Sequence, residues 1–221
     1  MRKTNFSVGE YYHIYNRGVD KRNIFEDKED LLRFLESMNE FNSEDLVGSL
    51  YEYNRDKEKF GGSTSKKKKL VNFIAYCLNQ NHYHFILEPL VDNGIQKFMH
   101  RVSTGYTMYF NEKNQRTGSL FGGRYKSIHI NSNEYLLHLS VYVNLNNLVH
   151  KNLNKSWMNK FPFSSFAEYT GEKKEKLICD TRIILGQFPS CKYYRKYAQD
   201  ILPDIIRRKE EEKQIKILTL E

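Results

Sequence analysis

The chain has 221 residues, which is enough for one substantial hydrophobic core and too few for two full-sized enzymatic domains. Hydrophobic residues make up 39% of it and charged residues 28%, and no segment approaches the roughly 20 consecutive apolar residues of a membrane-spanning helix. We therefore expect a soluble protein that does not enter a membrane. The formal net charge of +8 favours a polyanionic partner. Nucleic acid is the first candidate, although an anionic membrane surface would attract the same charge.

The N-terminal segment and the cysteines further restrict the class of protein. Residues 1–18 contain basic side chains without a following apolar block, so no secretory signal is predicted and we expect a cytoplasmic protein. Cys77, Cys179 and Cys191 are odd in number and widely spaced. This spacing predicts neither a disulfide framework nor a cysteine zinc site, and we interpret the three as small buried side chains.

The first half of the chain alternates between strand and helix patterns. Residues 11–16 form an aromatic and β-branched run that predicts a strand, and apolar residues at intervals of three and four predict a helix over 27–42. Residues 54–69 are polar and rich in glycine, serine and lysine, which predicts a flexible loop. Residues 70–78 and 83–87 predict two buried antiparallel strands joined by a polar turn.

The second half predicts a helix over 94–111, a basic glycine-bearing loop over 112–126 and a strand over 127–130. Ser132 and Asn133 indicate the N-terminus of a further helix that starts near Glu134. Later helices are predicted around 174–185 and 193–201, followed by a charge-rich tail. The order predicts an α+β fold in which helices pack on an antiparallel sheet. We expect a main domain over 1–170 and a helical C-terminal extension over 171–221.

Two histidines in the segment NHYHFIL are candidate metal ligands. Side chains two positions apart in a strand point to the same face, so His82 and His84 converge while Tyr83 points away. The same spacing also suits two histidines that only pack or form hydrogen bonds at the start of a strand. The pair alone does not decide between these interpretations.

A second candidate feature lies in the helix predicted after Asn133. His138, Tyr142 and Asn146 follow one another at intervals of four residues, so they share one helical face. Tyr142 by itself would be interpreted as a core tyrosine. Its combination with a histidine, an amide and the upstream histidine pair makes it a candidate nucleophile.

Several segments in a fixed order resemble the single-tyrosine HUH transposases, which carry the transposase IS200-like domain, and within them the group associated with repetitive extragenic palindromes (REP). The resemblance covers most of residues 11–170. It is carried by YHIYNRGVDKRNIF at 12–25, NQNHYHFIL at 79–87, RTGSLFGGRYKS at 116–127, EYLLHLSVYVNLNN at 134–147 and FPFSSFAEY at 161–169.

The resemblance implies a role for four residues. His82 and His84 would bind a metal ion, Tyr142 would be the nucleophile and Asn146 would be the third protein ligand. It also implies a ferredoxin-like fold and a covalent 5′-phosphotyrosine intermediate with a free 3′-hydroxyl. The chain departs from the family at two positions, because Tyr83 stands where a smaller aliphatic is usual and Asn147 where proline is frequent.

Two imidazoles and one amide oxygen would leave coordination positions open for phosphate and water. This donor set suits Mg²⁺ or Mn²⁺, and Mn²⁺ tolerates imidazole better. His138 could orient or deprotonate Tyr142, or it could be an ordinary histidine on the polar face of the helix.

Basic segments supply the candidate DNA contacts. Arg116, Arg124 and Lys126 flank glycines in a loop where the backbone can approach phosphates closely. Phe121 and Tyr125 could stack on unpaired bases or pack into the core. The lysine run is either a solvated loop or a further DNA contact, and it comprises Lys66, Lys67, Lys68 and Lys69.

We therefore expect an enzyme that cleaves and rejoins single-stranded or hairpin DNA, associated with a bacterial nucleoid and acting as a monomer or homodimer. Two alternatives remain open from the sequence. One is a relaxase-like replication nickase, which also uses paired histidines and a tyrosine. The other is a domesticated, non-cleaving protein that binds nucleic-acid hairpins through the same basic surface.

Overall fold

The computed structural model describes residues 5–45, 48, 68–149, 164–173 and 178–218. Four strands form one antiparallel sheet in the order β2-β3-β1-β4. They are β1 (Tyr11–Arg17), β2 (Val71–Asn79), β3 (His82–Pro89) and β4 (Lys126–Ile130). This order confirms the predicted ferredoxin-like α+β fold.

Two long helices complete the ferredoxin-like unit: α1 (Lys28–Glu40) follows β1, and α2 (Gly94–Lys113) connects β3 to β4. The remaining helices follow the sheet in the chain. They are α3 (Asn133–Asn144), α4 (Asn146–Val149), α5 (Phe166–Tyr169), α6 (Arg182–Leu185) and α7 (Cys191–Leu218). None of the helices among the described residues has both the length and the apolar composition needed to span a lipid bilayer.

The two predicted helix starts are capped by side chains. The Asp27 carboxylate accepts a hydrogen bond from the backbone N–H of Asp30 at the start of α1. The Ser132 hydroxyl oxygen accepts one from the backbone N–H of Tyr135 at the start of α3. Both bonds satisfy backbone donors that lack a partner within the helix, which is why each helix begins where it does.

The sheet is buried on both faces, and β3 shows how its residues divide between them. Tyr83, Phe85 and Leu87 belong to a first core together with residues of α1 and α2. The alternate side chains belong to the other face, where Ile86 lies in a second core with residues of α3 and α7. His82 and His84 share this second face with Ile86. The histidine pair therefore lies in the layer between the sheet and the C-terminal helices.

The C-terminal segment differs from the prediction. The helix predicted over 193–201 is longer in the structure, because α7 extends to Leu218 through the charge-rich tail, and it buries Tyr194, Ala198 and Ile205 in the second core. Its apolar residues are widely spaced among charged ones, which conceals the buried stripe. Of the helix predicted over 174–185, the described residues form only α6, since Cys179 bridges to β2 at Phe73.

A second difference concerns the helix predicted from Glu134 to Asn147. It is interrupted at Leu145, where the backbone leaves helical geometry (φ −110°, ψ 15°), and α4 begins at Asn146. Asn146 therefore belongs to a separate short helix, although its side chain still interacts with Tyr142. Of the predicted loop over 54–69, only Lys68 and Lys69 belong to the described residues, and both are exposed.

Gly18 follows β1 at a point where the chain has no room for a side chain. A Cβ atom there would lie 2.2 Å from the carbonyl oxygen of Arg22, and the Gly18 N–H donates to the carbonyl oxygen of Asn81. We expect Gly18→Ala to lower the free energy of unfolding by about 1–3 kcal/mol, because the backbone must shift to remove the overlap. Gly122→Ala is the matched control, since its nearest contact would be 3.6 Å. Urea unfolding measures both free energies of unfolding, and equal values for the two variants would contradict the expected overlap at Gly18.

Candidate active site

His82 and His84 lie together at the start of β3. A turn of two residues, Gln80 and Asn81, separates β2 from β3, so His82 is the first residue of its strand. The two imidazoles are 8% and 7% exposed, and their ring centroids are 5.2 Å apart with perpendicular planes. The strand alternation thus brings the two predicted ligands side by side.

The hydrogen bonds of His82 define which ring nitrogen carries the proton. Nδ1 of His82 lies 2.6 Å from Oδ1 of Asn81, whose Nδ2 donates to the carbonyl oxygen of Lys21. Because the Asn81 oxygen can only accept, Nδ1 of His82 carries the proton and Nε2 carries the lone pair. Nε2 of His82 lies 3.1 Å from Oδ1 of Asn146. The first and third predicted ligands are therefore adjacent through atoms that could both bind a cation.

Asn79, which the sequence analysis missed, connects these two atoms. Its Nδ2 lies 3.1 Å from Nε2 of His82 and 2.9 Å from Oδ1 of Asn146, while its Oδ1 faces the Cys77 thiol. One amide group thus lies within hydrogen-bond distance of both candidate ligand atoms and holds them near each other. The sequence indicated Asn79 only as a polar residue at the end of a buried strand. In the structure it is paired with His82 across the tight turn.

His13 on β1 is a third buried imidazole at the site, and it was also missed. Its Nε2 lies 2.8 Å from Nδ1 of His84, and His13 is 5% exposed. Burial, together with the positive charge of Lys209, lowers the pKa of His13 to about 4. The available signal was the alternation of β1, which places His13 and Tyr15 on the face opposite to Tyr12 and Ile14.

Tyr142 on α3 faces the histidine layer. Its ring is edge-on to His84 and His13, with centroid distances of 5.6 Å and 6.3 Å. The Nζ atom of Lys209, on α7, lies 5.6 Å from the centre of the Tyr142 ring. Burial raises the pKa of the Tyr142 phenol, while Lys209 and the Asn146 amide act in the opposite direction. The C-terminal helix therefore contributes a positive charge beside the predicted nucleophile, which the sequence analysis did not anticipate.

His138 lies one helical turn before Tyr142 and is partly buried. Burial and the nearby positive charge of Arg208 lower the pKa of its imidazole. Among the hydrogen bonds of the described residues there is none between His138 and Tyr142. A role for His138 in orienting or deprotonating Tyr142 stays a prediction.

The donor set at the site fits a divalent metal ion. Nε2 of His82 and Oδ1 of Asn146 lie 3.1 Å apart, and both are atoms of the kind that would bind such an ion. Within the described ranges, no three histidine, cysteine or acidic side chains are grouped to hold a metal. The candidate ligands are instead two imidazoles and one amide oxygen, which are all neutral. The net charge at the site would therefore come from the metal ion and the bound phosphate.

The loop before β4 is attached to the same end of the sheet. The Gly122 N–H donates to the carbonyl oxygen of Arg17, the residue paired with His82, and Nδ2 of Asn16 donates to the carbonyl oxygen of Gly123. Arg124 and Lys126 are exposed beside this attachment. Their positive charges are therefore available to a ligand that approaches the histidines.

Other predicted DNA-binding residues lie in different surroundings. The guanidinium of Arg116 lies over the Phe110 ring and donates to the carbonyl oxygen of Ser119. Of the two alternatives for Phe121, the structure has core packing, because Phe121 is 5% exposed and packs edge-on against Tyr83 in the first core. Tyr125 is partly buried against the same core. Lys66 and Lys67 lie outside the described residues.

Comparisons with known proteins bear on this arrangement. Residues 55–146 match the family described as transposase IS200-like, a range that includes His82, His84, Tyr142 and Asn146. A comparison with curated protein sequences gives no match. A solved structure of a REP-associated tyrosine transposase bound to a REP hairpin is similar in fold, with a TM-score of 0.50 and 12% identity, over 77% of this chain and 85% of that one. Residues 55–146 are therefore similar in sequence to IS200-like transposases, and the fold is similar to that of a REP-associated tyrosine transposase.

Proposed function

We propose that the protein cleaves and rejoins single-stranded or hairpin DNA through a covalent bond between Tyr142 and a 5′ phosphate. The observation that supports this most strongly is the convergence of Tyr142, His84, His82 and Asn146 on one face of the sheet, although they come from three separate elements. The tyrosine would supply the nucleophile for a covalent intermediate, and the neighbouring neutral atoms would supply ligands for a metal ion.

His82, His84 and Asn146 would hold Mg²⁺ or Mn²⁺. The bound ion would neutralise negative charge on the phosphate and help to orient it. The protein side chains define the position. Asn81 fixes the proton on Nδ1 of His82 and leaves Nε2 as its donor atom, while the break at Leu145 turns Asn146 toward the sheet.

Tyr142 would attack the phosphorus in line with the 3′ oxygen of the preceding nucleotide. The bond from the phenolic oxygen to phosphorus forms as the bond from phosphorus to the 3′ oxygen breaks. The phenol loses its proton and the departing 3′ oxygen gains one, so the products are a 5′-phosphotyrosine and a free 3′-hydroxyl. Burial raises the pKa of the Tyr142 phenol, and the positive charge of Lys209 opposes this rise. Lys209 would thus stabilise the negative charge that develops on the phenolic oxygen. Attack by the 3′-hydroxyl of another strand would reverse the step and join DNA.

We further propose that the DNA is a hairpin of the REP kind. The fold resembles that of a REP-associated transposase whose structure was determined with such a hairpin. Exposed Arg124 and Lys126 beside the site would contact phosphates, and the net charge of +8 would draw the DNA toward the protein.

Phosphate contacts by Arg124 and Lys126 predict a steep dependence of DNA affinity on salt. We expect the double variant Arg124→Ala/Lys126→Ala to bind hairpin DNA more weakly and to reduce the log–log salt slope by about 2, roughly one unit for each lost contact. Fluorescence anisotropy across a salt series measures both quantities. Lys192→Ala/Lys196→Ala, which removes two exposed charges from α7, is the matched control. An equal slope in both double variants would contradict the assignment of this loop.

Incubation with labelled hairpin DNA and Mn²⁺ tests the proposed function. The expected result is a protein–DNA adduct that survives denaturation. DNA binding without any cleavage would support a domesticated hairpin-binding protein instead. Efficient nicking of a replication-origin substrate, but not of a hairpin, would support a relaxase-like nickase.

A further inference from the structure

His13 and His84 share a single hydrogen bond across strands β1 and β3. The Nε2 atom of His13 and the Nδ1 atom of His84 are 2.8 Å apart, and both rings are buried. Tyr15 lies opposite His84 in the strand register and stacks on both imidazoles, at centroid distances of 5.6 Å and 4.9 Å. The sheet register and the stacked rings therefore fix the relative position of the two histidines.

A bond between two ring nitrogens contains one proton, so one imidazole donates and the other accepts. Burial disfavours a charged imidazolium, so the two neutral arrangements are the relevant ones. In the first, Nδ1 of His84 donates and the lone pair of His84 is on Nε2. In the second, His13 donates and Nε2 of His84 carries a proton. Only the first leaves Nε2 of His84 able to bind a cation.

We propose that His13 is a positioning residue that accepts the Nδ1 proton of His84 and so keeps the Nε2 lone pair of His84 directed at the metal site. This inference rests on the proposed function, because it assigns His84 as a ligand. Both candidate ligands would then carry the proton on Nδ1 and the lone pair on Nε2, because Asn81 accepts the Nδ1 proton of His82 in the same way. Partners that accept the second ring proton of a ligating histidine fix its tautomer and raise its basicity.

Affinity for Mn²⁺, measured by electron paramagnetic resonance of the free ion, tests the inference without recourse to activity. His13→Ala removes the acceptor and should weaken Mn²⁺ binding by about 10–100-fold. His13→Gln places an amide oxygen near the position of Nε2 and should restore most of the affinity. His13→Phe keeps a ring without an acceptor and should resemble His13→Ala. Thermal melting of each variant without metal separates a loss of affinity from a loss of folding.

The tautomer of His84 in the metal-free protein provides a second readout. In ¹⁵N-labelled wild-type protein and in His13→Gln, the histidine nitrogen shifts should show His84 protonated at Nδ1, whereas His13→Ala should show a mixture of tautomers. A wild-type His84 protonated at Nε2 would overturn the inference. A second result would also overturn it: His13→Ala and His13→Gln lose Mn²⁺ affinity equally, and in both variants one fewer nitrogen is coupled to the ion than in the wild type. His13 would then be a ligand itself.

The outcomes separate this inference from the proposed function. If His84→Ala loses Mn²⁺ while His13→Ala binds it like the wild type, the metal site stands and the role of His13 is wrong. If the wild-type protein binds no Mn²⁺, the proposed metal site is wrong and the inference falls with it.

Discussion

Tyr142→Phe is expected to abolish the covalent protein–DNA adduct and to reduce cleavage by at least about 10³-fold, because it removes the attacking oxygen and leaves the ring in place. The Tyr142 ring packs edge-on against His84 and His13 and beneath Lys209, and phenylalanine preserves these contacts. Folding and hairpin binding should therefore remain close to those of the wild type. Denaturing gel electrophoresis of labelled hairpin DNA measures both the adduct and the cleaved strand.

Tyr135→Phe is the matched control for this experiment. Tyr135 lies on the same helix, is also partly buried, and its pKa is raised by burial and by the proximity of Tyr15 and Tyr142. Removal of its hydroxyl should leave the adduct yield unchanged. An adduct that persists in Tyr142→Phe but disappears in Tyr135→Phe would show that Tyr135, and not Tyr142, is the nucleophile.

His82→Ala should have the second large effect. It removes the imidazole whose Nε2 faces Asn146, and we expect Mn²⁺ binding to be lost and cleavage to fall by at least about 10³-fold. The substitution also removes one buried partner each from Asn79 and Asn146, which keep their bond to each other, so some loss of stability is expected. Isothermal titration with Mn²⁺, cleavage assays and thermal melting separate these effects.

The control for His82→Ala is His129→Ala. His129 lies on the exposed edge strand β4 and pairs with Glu10, away from the histidine layer. This variant should bind Mn²⁺ and cleave DNA like the wild type. Full cleavage by His82→Ala, or full cleavage by the wild type after removal of divalent ions with EDTA, would contradict a metal-dependent mechanism.

Much of the fold followed from local periodicity in the sequence. The alternation of β3 assigned His82 and His84 to one face and Tyr83 and Phe85 to the other, and the structure has this division. Asp27 and Ser132 marked helix starts because their side chains can cap only at that position. The order of elements then left few arrangements other than a ferredoxin-like sheet.

The residues that contact the candidate ligands and Tyr142 could not be predicted from residue spacing within one strand or helix. His13 meets His84 through the pairing of β1 with β3, and Asn79 meets Asn146 across 67 positions. Lys209 reaches Tyr142 only because α7 returns over α3. Such contacts depend on register and on helix packing, which residue spacing along one element does not contain.

Two local features of the structure could not be decided from spacing alone. The spacing of His138, Tyr142 and Asn146 predicts one continuous helix, but the helix breaks at Leu145 and Asn146 belongs to α4, from which its side chain still interacts with Tyr142. Phe121 was a candidate for base stacking because its loop is basic and contains glycines. The loop instead folds back onto the sheet, where an aromatic ring gains more from burial against Tyr83 than from solvent exposure.

We expect Tyr142 to become covalently joined to DNA at a site formed by His82, His84 and Asn146. The most direct test is to incubate the wild-type protein with hairpin DNA and Mn²⁺, digest the adduct with protease and identify the DNA-linked peptide by mass spectrometry. The account predicts one linkage, from the Tyr142 oxygen to a 5′ phosphate. Linkage to any other of the 16 tyrosines, or cleavage that leaves no linked peptide, would contradict it.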